Sequence, residues 1–405
     1  MEILKSLLLI ATSLLFIYIS FKNYYKGFIF YIICLVLGSL TGFQRVMLYE
    51  TYLVPIVLIL SVMKTHNITN LYAFVLLLYI TFISLFNGLT PFPSDNPIFF
   101  GLAIIFVSQT LFKTESRRQD ILCLLLGYTI AKMIWYIVLS PNPFSLVTST
   151  TDRQLDVNNE IGIYGVADTL KIDPNYFGFM MGAGAIISLL LLLNYDKVIW
   201  LQRKKWYKYI LFLLTVLLFF FSLKGLSRGV FIAEVVSIFT TFMLSNTKKR
   251  LKVSIALLIF ILLISYVGIY EMIFERFVDS SSSSRVSLLK DALSATYSEK
   301  GFFGIFFGCG TDFPWNKYSS DVNLRIMDLY STHNSWLKFL INYGVVGFSL
   351  FVLMICRNII RRLSKIRDSY INQILTIVFV YWAVSALSIE PLSSYFGWLL
   401  LIVTL

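Results

Sequence analysis

The chain has 405 residues, of which 58% are hydrophobic, 17% aromatic and only 14% charged, and its formal net charge is +12. Apolar runs of about 20 residues recur along it, as a hydrocarbon core of roughly 30 Å demands of a spanning helix, and this excludes a soluble globular enzyme. The cations flank the apolar runs, where they act as topology signals, so the positive charge does not point to nucleic acid.

The apolar runs fall near 3–21, 27–43, 46–63, 71–88, 97–112, 120–140, 174–195, 206–223, 229–244, 253–270, 336–356, 371–389 and 392–405. Alternating barrel strands of ~10 residues are absent, so these runs are expected to be helices that satisfy their own backbone groups in lipid. The fold class is an all-α polytopic membrane protein with 12 or 13 transmembrane helices; the second, third and last runs are the weakest. The expected organisation is N-terminal transmembrane helices over 1–140, a first outer loop over 141–173 and central transmembrane helices over 174–270. A large outer loop follows over 271–335, then C-terminal transmembrane helices over 336–405. The first run lacks a small-residue cleavage site, so no cleavable signal peptide is expected. Cys34, Cys123, Cys309 and Cys356 form neither a metal-ligand spacing nor a disulfide framework.

Lys and Arg set the orientation. One set of connections holds Lys22, Lys26, Lys64, the Lys113–Arg118 group, the Lys197–Lys208 group, the Lys248–Lys252 group and the Arg357–Arg367 group. The alternate set, the long loop aside, holds only Lys5, Arg45, Arg153, Lys171, Lys224 and Arg228. The first set is expected to be cytoplasmic, with a cytoplasmic C-terminus and both large loops outside. The N-terminus falls outside with 13 spans and inside with 12.

Loop 141–173 carries Asp152, Arg153, Asp156 and Glu160, and ends in DPN before the next run; Pro174 suits a helix start, where its missing N–H has no partner. Loop 271–335 is the longest polar stretch. Ser280 to Ser284 read as a flexible low-complexity run, with Ser284 a helix cap. From Arg285, the apolar Val286, Leu289, Leu293 and Tyr297 recur at helical steps, predicting an amphipathic helix of about three turns on the membrane surface. The following GFFGIFFGCG is too broken for a span.

Five places carry candidate chemistry. Lys224 and Arg228, in SLKGLSRG, are cations on an outer connection that defy the positive-inside trend. They either snorkel at helix ends or form an anion site, for which an Arg fork suits phosphate oxygens. Arg285, at a helix N-terminus, has free N–H groups beside it that favour anions; the bland alternative is a solvated loop arginine. Arg153 is a weaker candidate for the same anion. His333, beside Asn334 before a well-formed apolar run, has the pKa range for proton transfer, whereas His66 beside Lys64 reads as structural. Glu390, in SIEPLSS, could accept from a substrate hydroxyl or pair with an arginine. No clustered outer acids suit a divalent metal, so neither metal nor cofactor is expected.

Taken together, THNSWLKFLINYGVVGF resembles the His-Asn…Leu…Gly-x-x-Gly signature of the O-antigen polymerase and O-antigen ligase superfamily. SSRVSLLKDAL and a glycine stretch precede it at a suitable distance. GLSRGVFIAE is similar to that family's Ser/Thr-Arg motif, DPNYFGFMM to the segment after its first large loop, and SIEPLSS to the place where it carries an acid, often Asp rather than Glu. The resemblance covers about residues 140–400 and does not reach the first 140. It implies a GT-C-like membrane glycosyltransferase acting on undecaprenyl-diphosphate-linked glycans at the periplasmic face of a bacterial inner membrane. On the resemblance, Arg228 and Arg285 would contact diphosphate, His333 would be catalytic or orient the acceptor, and Glu390 would belong to the substrate site; Arg153, Lys224 and Asn334 join the expected substrate-binding set from their own placement in the sequence. A chain-length regulator and a flippase of the same pathway would be partners. Polymerase is the expected activity and ligase the same-family alternative. A lipid-linked oligosaccharide flippase, the alternative from another class, is disfavoured by the asymmetric outer loops and the lack of inverted half-repeats.

Overall fold

Polar caps and prolines set helix ends where apolar runs begin. The structure, a computed structural model, describes residues 2–41, 52–64, 70–90, 97–140, 143–144, 155–157, 170–198, 204–225, 227–266, 281–311, 334–366 and 369–405. Each of the apolar runs holds a helix among the described residues: α1 (Glu2–Lys22), α2 (Tyr24–Thr41), α3 (Leu53–Met63), α4 (Leu71–Phe86), α5 (Ile98–Leu111), α6 (Glu115–Leu139), α7 (Pro174–Leu193), α8 (Tyr207–Lys224), α9 (Arg228–Leu244) and α10 (Thr247–Tyr266). After the large loop's helix α11 (Ser281–Phe307) come α12 (Ser335–Leu363), α13 (Tyr370–Ser385) and α14 (Tyr395–Thr404).

Among the described residues, α6, α7, α8 and α12 are long and apolar enough to cross a membrane, and seven shorter apolar helices accompany them. The protein is thus an all-helical polytopic membrane protein. Two short 3-10 helices (Tyr195–Lys197 and Pro391–Ser393) and a two-stranded antiparallel ribbon in loop 141–173 complete the regular elements among the described residues; the ribbon pairs β1 (Leu155–Val157) with β2 (Leu170–Ile172), with Asp156 facing Lys171 in register.

Asn70, Thr114, Asp173, Asn334, Ser369 and Ser394 each accept a hydrogen bond from a backbone N–H of the helix they precede, satisfying one of its orphan donors. Pro174 occupies the first turn of α7 as its sequence position predicts. α7 is the central post. It packs against α6, α8, α9 and α13, and small residues permit the close approach: a Cβ on Gly225 would overlap Pro174 O, and one on Gly184 would overlap Thr129. Leucines and phenylalanines such as Leu7, Leu14, Phe82 and Phe239 are exposed on the bundle's outside, as a lipid-facing surface requires.

The large loop departs from expectation. Ser281 to Ser284 are helical, so α11 starts upstream of Ser284 and runs to Phe307, broken at Gly301 with φ of 58°. Ser284 is therefore not its cap, and Arg285 lies in the second turn rather than at the first residue. GFFGIFFGCG forms no span, but its first part is helical. The rest docks on a break in α12, where Gly344 has φ of 64°. That break takes Ile341 O and Asn342 O out of the helical ladder. Cys309 N and Gly310 N donate to them at 3.2 and 2.8 Å. Tyr79 Oη donates to both Phe307 O and Tyr343 O, at 2.9 and 3.0 Å, and ties α4 to the same joint.

Candidate functional site

Three stretches far apart in sequence meet at one end of the bundle. The first is the start of α9, where Arg228 is the first helical residue, half-buried behind Ser227. A Cβ on Gly229 would overlap the Ser388 side chain, so this helix start presses on the segment that follows α13. The second is the start of α12. Asn334 Oδ1 accepts from Leu337 N at 3.0 Å and caps the helix. Ser335 N donates to Ala386 O and Ile389 O at 3.0 and 3.2 Å, and Ser335 Oγ accepts from Leu392 N at 3.3 Å. The third is the 386–393 segment itself, where Glu390 Oε2 meets Lys338 Nζ at 3.3 Å. Ser393 Oγ completes the triangle at 3.1 Å from Glu390 Oε2 and 3.4 Å from Lys338 Nζ.

Arg228, Asn334 and Glu390 therefore lie in stretches joined at one end. The side chains of Asn334 and Glu390 have structural work. Asn334 is a helix cap, and Glu390 pairs with Lys338. Lys224, the last residue of α8, is buried; its Nζ donates to Pro143 O at 2.5 Å and lies 5.2 Å from the centre of the Tyr136 ring. It clamps the start of loop 141–173, assisted by Phe144 against Phe220 and Phe221. Arg153 and His333 lie outside the described residues, as does His66. Arg285 is placed by its backbone alone, in α11. Among the described residues, no three His, Cys, Asp or Glu side chains gather as metal ligands would.

Sequence reasoning passed over Glu234, six residues after Arg228. It is fully enclosed within α9. One carboxyl oxygen accepts from Ser222 Oγ on α8, while Oε2 is buried with no hydrogen-bond partner among the described residues. Ser222 Oγ also lies 3.2 Å from Gly178 O on α7, and Tyr381 Oη on α13 donates to Phe179 O at 2.8 Å. Gly182 makes the room: a Cβ there would overlap both Tyr381 Oη and Glu234 Oε1. This polar knot joins the four helices beneath Lys224 and Arg228. An acid inside the apolar run 229–244 was the available signal, because intramembrane charge is costly and rare.

The fold and this end define a polytopic membrane protein with arginine-bearing and acid-bearing stretches gathered where its large loops emerge. Residues 179–352 match the family model described as O-Antigen ligase. The match covers less than half of the chain and supports a likeness to the O-antigen polymerase and ligase superfamily, whose members are membrane glycosyltransferase-like enzymes. It runs from α7 into α12 and includes Lys224, Arg228, Arg285, His333 and Asn334, but neither Arg153 nor Glu390. No curated protein and no solved structure matches the chain.

Proposed function

We propose that the protein is a surface-polysaccharide (O-antigen) polymerase. It joins oligosaccharide repeat units carried on undecaprenyl diphosphate, at the periplasmic face of a bacterial inner membrane. The observation that supports this most is the meeting of the Arg228 helix start with the segments that carry Asn334 and Glu390. A lipid-linked donor reaches such a place from the bilayer, and a glycan reaches it from the loops.

The acceptor's non-reducing-end hydroxyl attacks the anomeric carbon of the donor glycan. A new glycosidic C–O bond forms, the C–O bond to the diphosphate breaks, and undecaprenyl diphosphate leaves with the electron pair. His333 takes the hydroxyl proton or orients the hydroxyl. Arg228 and Arg285 hold the diphosphate as charge develops on it, with Arg153 a further contact. Fixed guanidinium groups do this without a divalent metal. A single displacement inverts the anomeric centre. Lys224 shapes the site through the first loop, while Asn334 and Glu390 set the His333 end. The C-terminus is cytoplasmic, and a chain-length regulator and flippase of the same pathway are expected partners.

The ligase description of the matched family supports a second reading, in which the finished chain moves to lipid A core. Membranes supplied with lipid-linked repeat units and no lipid A core acceptor separate the two. A ladder of lengthening products is expected. Transfer that occurs only when core acceptor is added makes the protein a ligase.

A further inference from the structure

α6 runs for 25 residues, roughly 37 Å at 1.5 Å rise per residue, from its first turn at Glu115 to Leu139 beside the loop that Lys224 clamps, while α12 starts beside the candidate site and ends in a last turn at Leu363. That last turn holds Arg362, which is only 5% exposed, with Nη1 buried and lacking a hydrogen-bond partner among the described residues. Its strongest electrostatic neighbour is a second cation, Arg118, in the first turn of α6. Arg118 Nε donates to Phe112 O at 3.1 Å, and Arg117 Nη1 donates to Thr110 O and Leu111 O at 3.2 and 3.4 Å. These contacts finish the carbonyl end of α5 and fix the two arginines in place. Glu115 acts on Arg118, but Arg362 has no ion pair with any described residue.

A snorkelling arginine leaves its head in water; this one does not. A buried guanidinium beside a like charge, with a donor unmet, is an arrangement that proteins complete with an anion. The first turn of α6 adds backbone N–H groups and the positive end of a helix dipole. Paired guanidinium forks match tetrahedral oxyanions bidentately.

We propose that Arg362 and Arg118, with the first turn of α6, hold a phosphate-type anion at the end of the bundle opposite the candidate site. The anion is either the headgroup phosphate of an anionic lipid or free inorganic phosphate. This site is separate from the diphosphate of the proposed reaction, and it stands whether or not that reaction is the right one.

The test compares melting temperatures of the full-length protein in phosphatidylcholine nanodiscs, in the same discs with added inorganic phosphate, and in discs containing phosphatidylglycerol. The wild type is expected to gain a few degrees with one of the two phosphate sources, as ligand linkage requires. Arg362→Met is expected to lose that gain, since it removes the unpaired charge while keeping apolar bulk. A gain with inorganic phosphate identifies a soluble ligand, and a gain with phosphatidylglycerol alone identifies a lipid headgroup. Arg118→Gln, at a more exposed position, gives the same comparison if the Arg362 variant does not fold. A wild type that melts identically in all three conditions overturns the proposal, as do variants that keep the full gain.

Discussion

Gly308 and Gly344 sit back to back. A Cβ on Gly344 would overlap Phe306 O and Gly308 N, and one on Gly308 would overlap Asn342 O and the Tyr343 Cα. Both have positive φ, 88° and 64°. The large loop is thereby riveted to the break in α12, ten residues beyond Asn334. Gly344→Ala is expected to be strongly destabilising. The left-handed backbone costs a β-carbon about 1–2 kcal/mol, and the overlap adds about 1–3 kcal/mol because backbone atoms must move. Melting of the purified variant in detergent checks it; a melting temperature equal to wild type would show that the joint relaxes freely.

The Lys338–Glu390 pair predicts a coupled effect. The two side chains are 24% and 10% exposed, so the pair is partly shielded from solvent. Glu390→Ala and Lys338→Ala are each expected to cost about 1 kcal/mol and to weaken chain extension, because the pair holds the start of α12 against the 386–393 segment. The charge-reversed double variant, Lys338→Glu with Glu390→Lys, is expected to recover more than half of either loss. A double-mutant cycle measures this. Strictly additive losses would mean that the two residues act separately.

The helices were legible in the sequence because bilayer physics writes them in long apolar runs; each of the thirteen runs holds a helix among the described residues. The glycine stretch was not legible, since its role depends on carbonyls that only the Gly344 break exposes. Asn334 illustrates a different limit. Its neighbour and its place before a helix fit substrate contact and a helix cap equally well, and the cap is visible only in three dimensions. Glu234 and Arg362 were missed for a common reason: each lies in or beside an apolar run, where the hydropathy pattern dominates, and only burial shows that their polar atoms lack partners.

Cys309 is buried in the joint beneath the large loop, and burial pushes its thiol up to about 11. The raised value keeps the protonated form at neutral pH, and the thiolate is the nucleophile. With the other cysteines replaced, Cys309 in the folded protein is expected to resist iodoacetamide at neutral pH, to react increasingly as pH climbs towards that value, and to react promptly once unfolded. Mass spectrometry of the alkylated protein reads this out. Prompt labelling of folded protein at neutral pH would mean that the joint opens.

Chain extension is expected to persist in chelator, because the proposed charge stabilisers are guanidinium groups. Activity of the purified protein that vanishes in chelator and returns with Mg²⁺ or Mn²⁺ would give that role to a metal.

The sharpest predictions concern His333, Arg228 and Arg285. His333→Ala is expected to abolish chain extension while the protein still inserts, because the hydroxyl loses its base or its orienting partner. The arginines are expected to tolerate Lys poorly. Arg228 opens α9 and Arg285 lies in the second turn of α11, and under the proposed reaction one diphosphate gives both a reason to converge. Oxygens on two phosphorus centres accept two planar forks, a geometry that a compact ammonium does not reproduce. A charge-assisted contact is worth about 1.5–3 kcal/mol. Losing one therefore slows the reaction roughly ten- to a hundredfold. Each Arg→Lys variant, matched for membrane level by blot, is compared with wild type for its polymer ladder. Wild-type ladders from both Lys variants would reduce these residues to general positive charge, and a wild-type ladder from His333→Ala would remove that histidine from the mechanism.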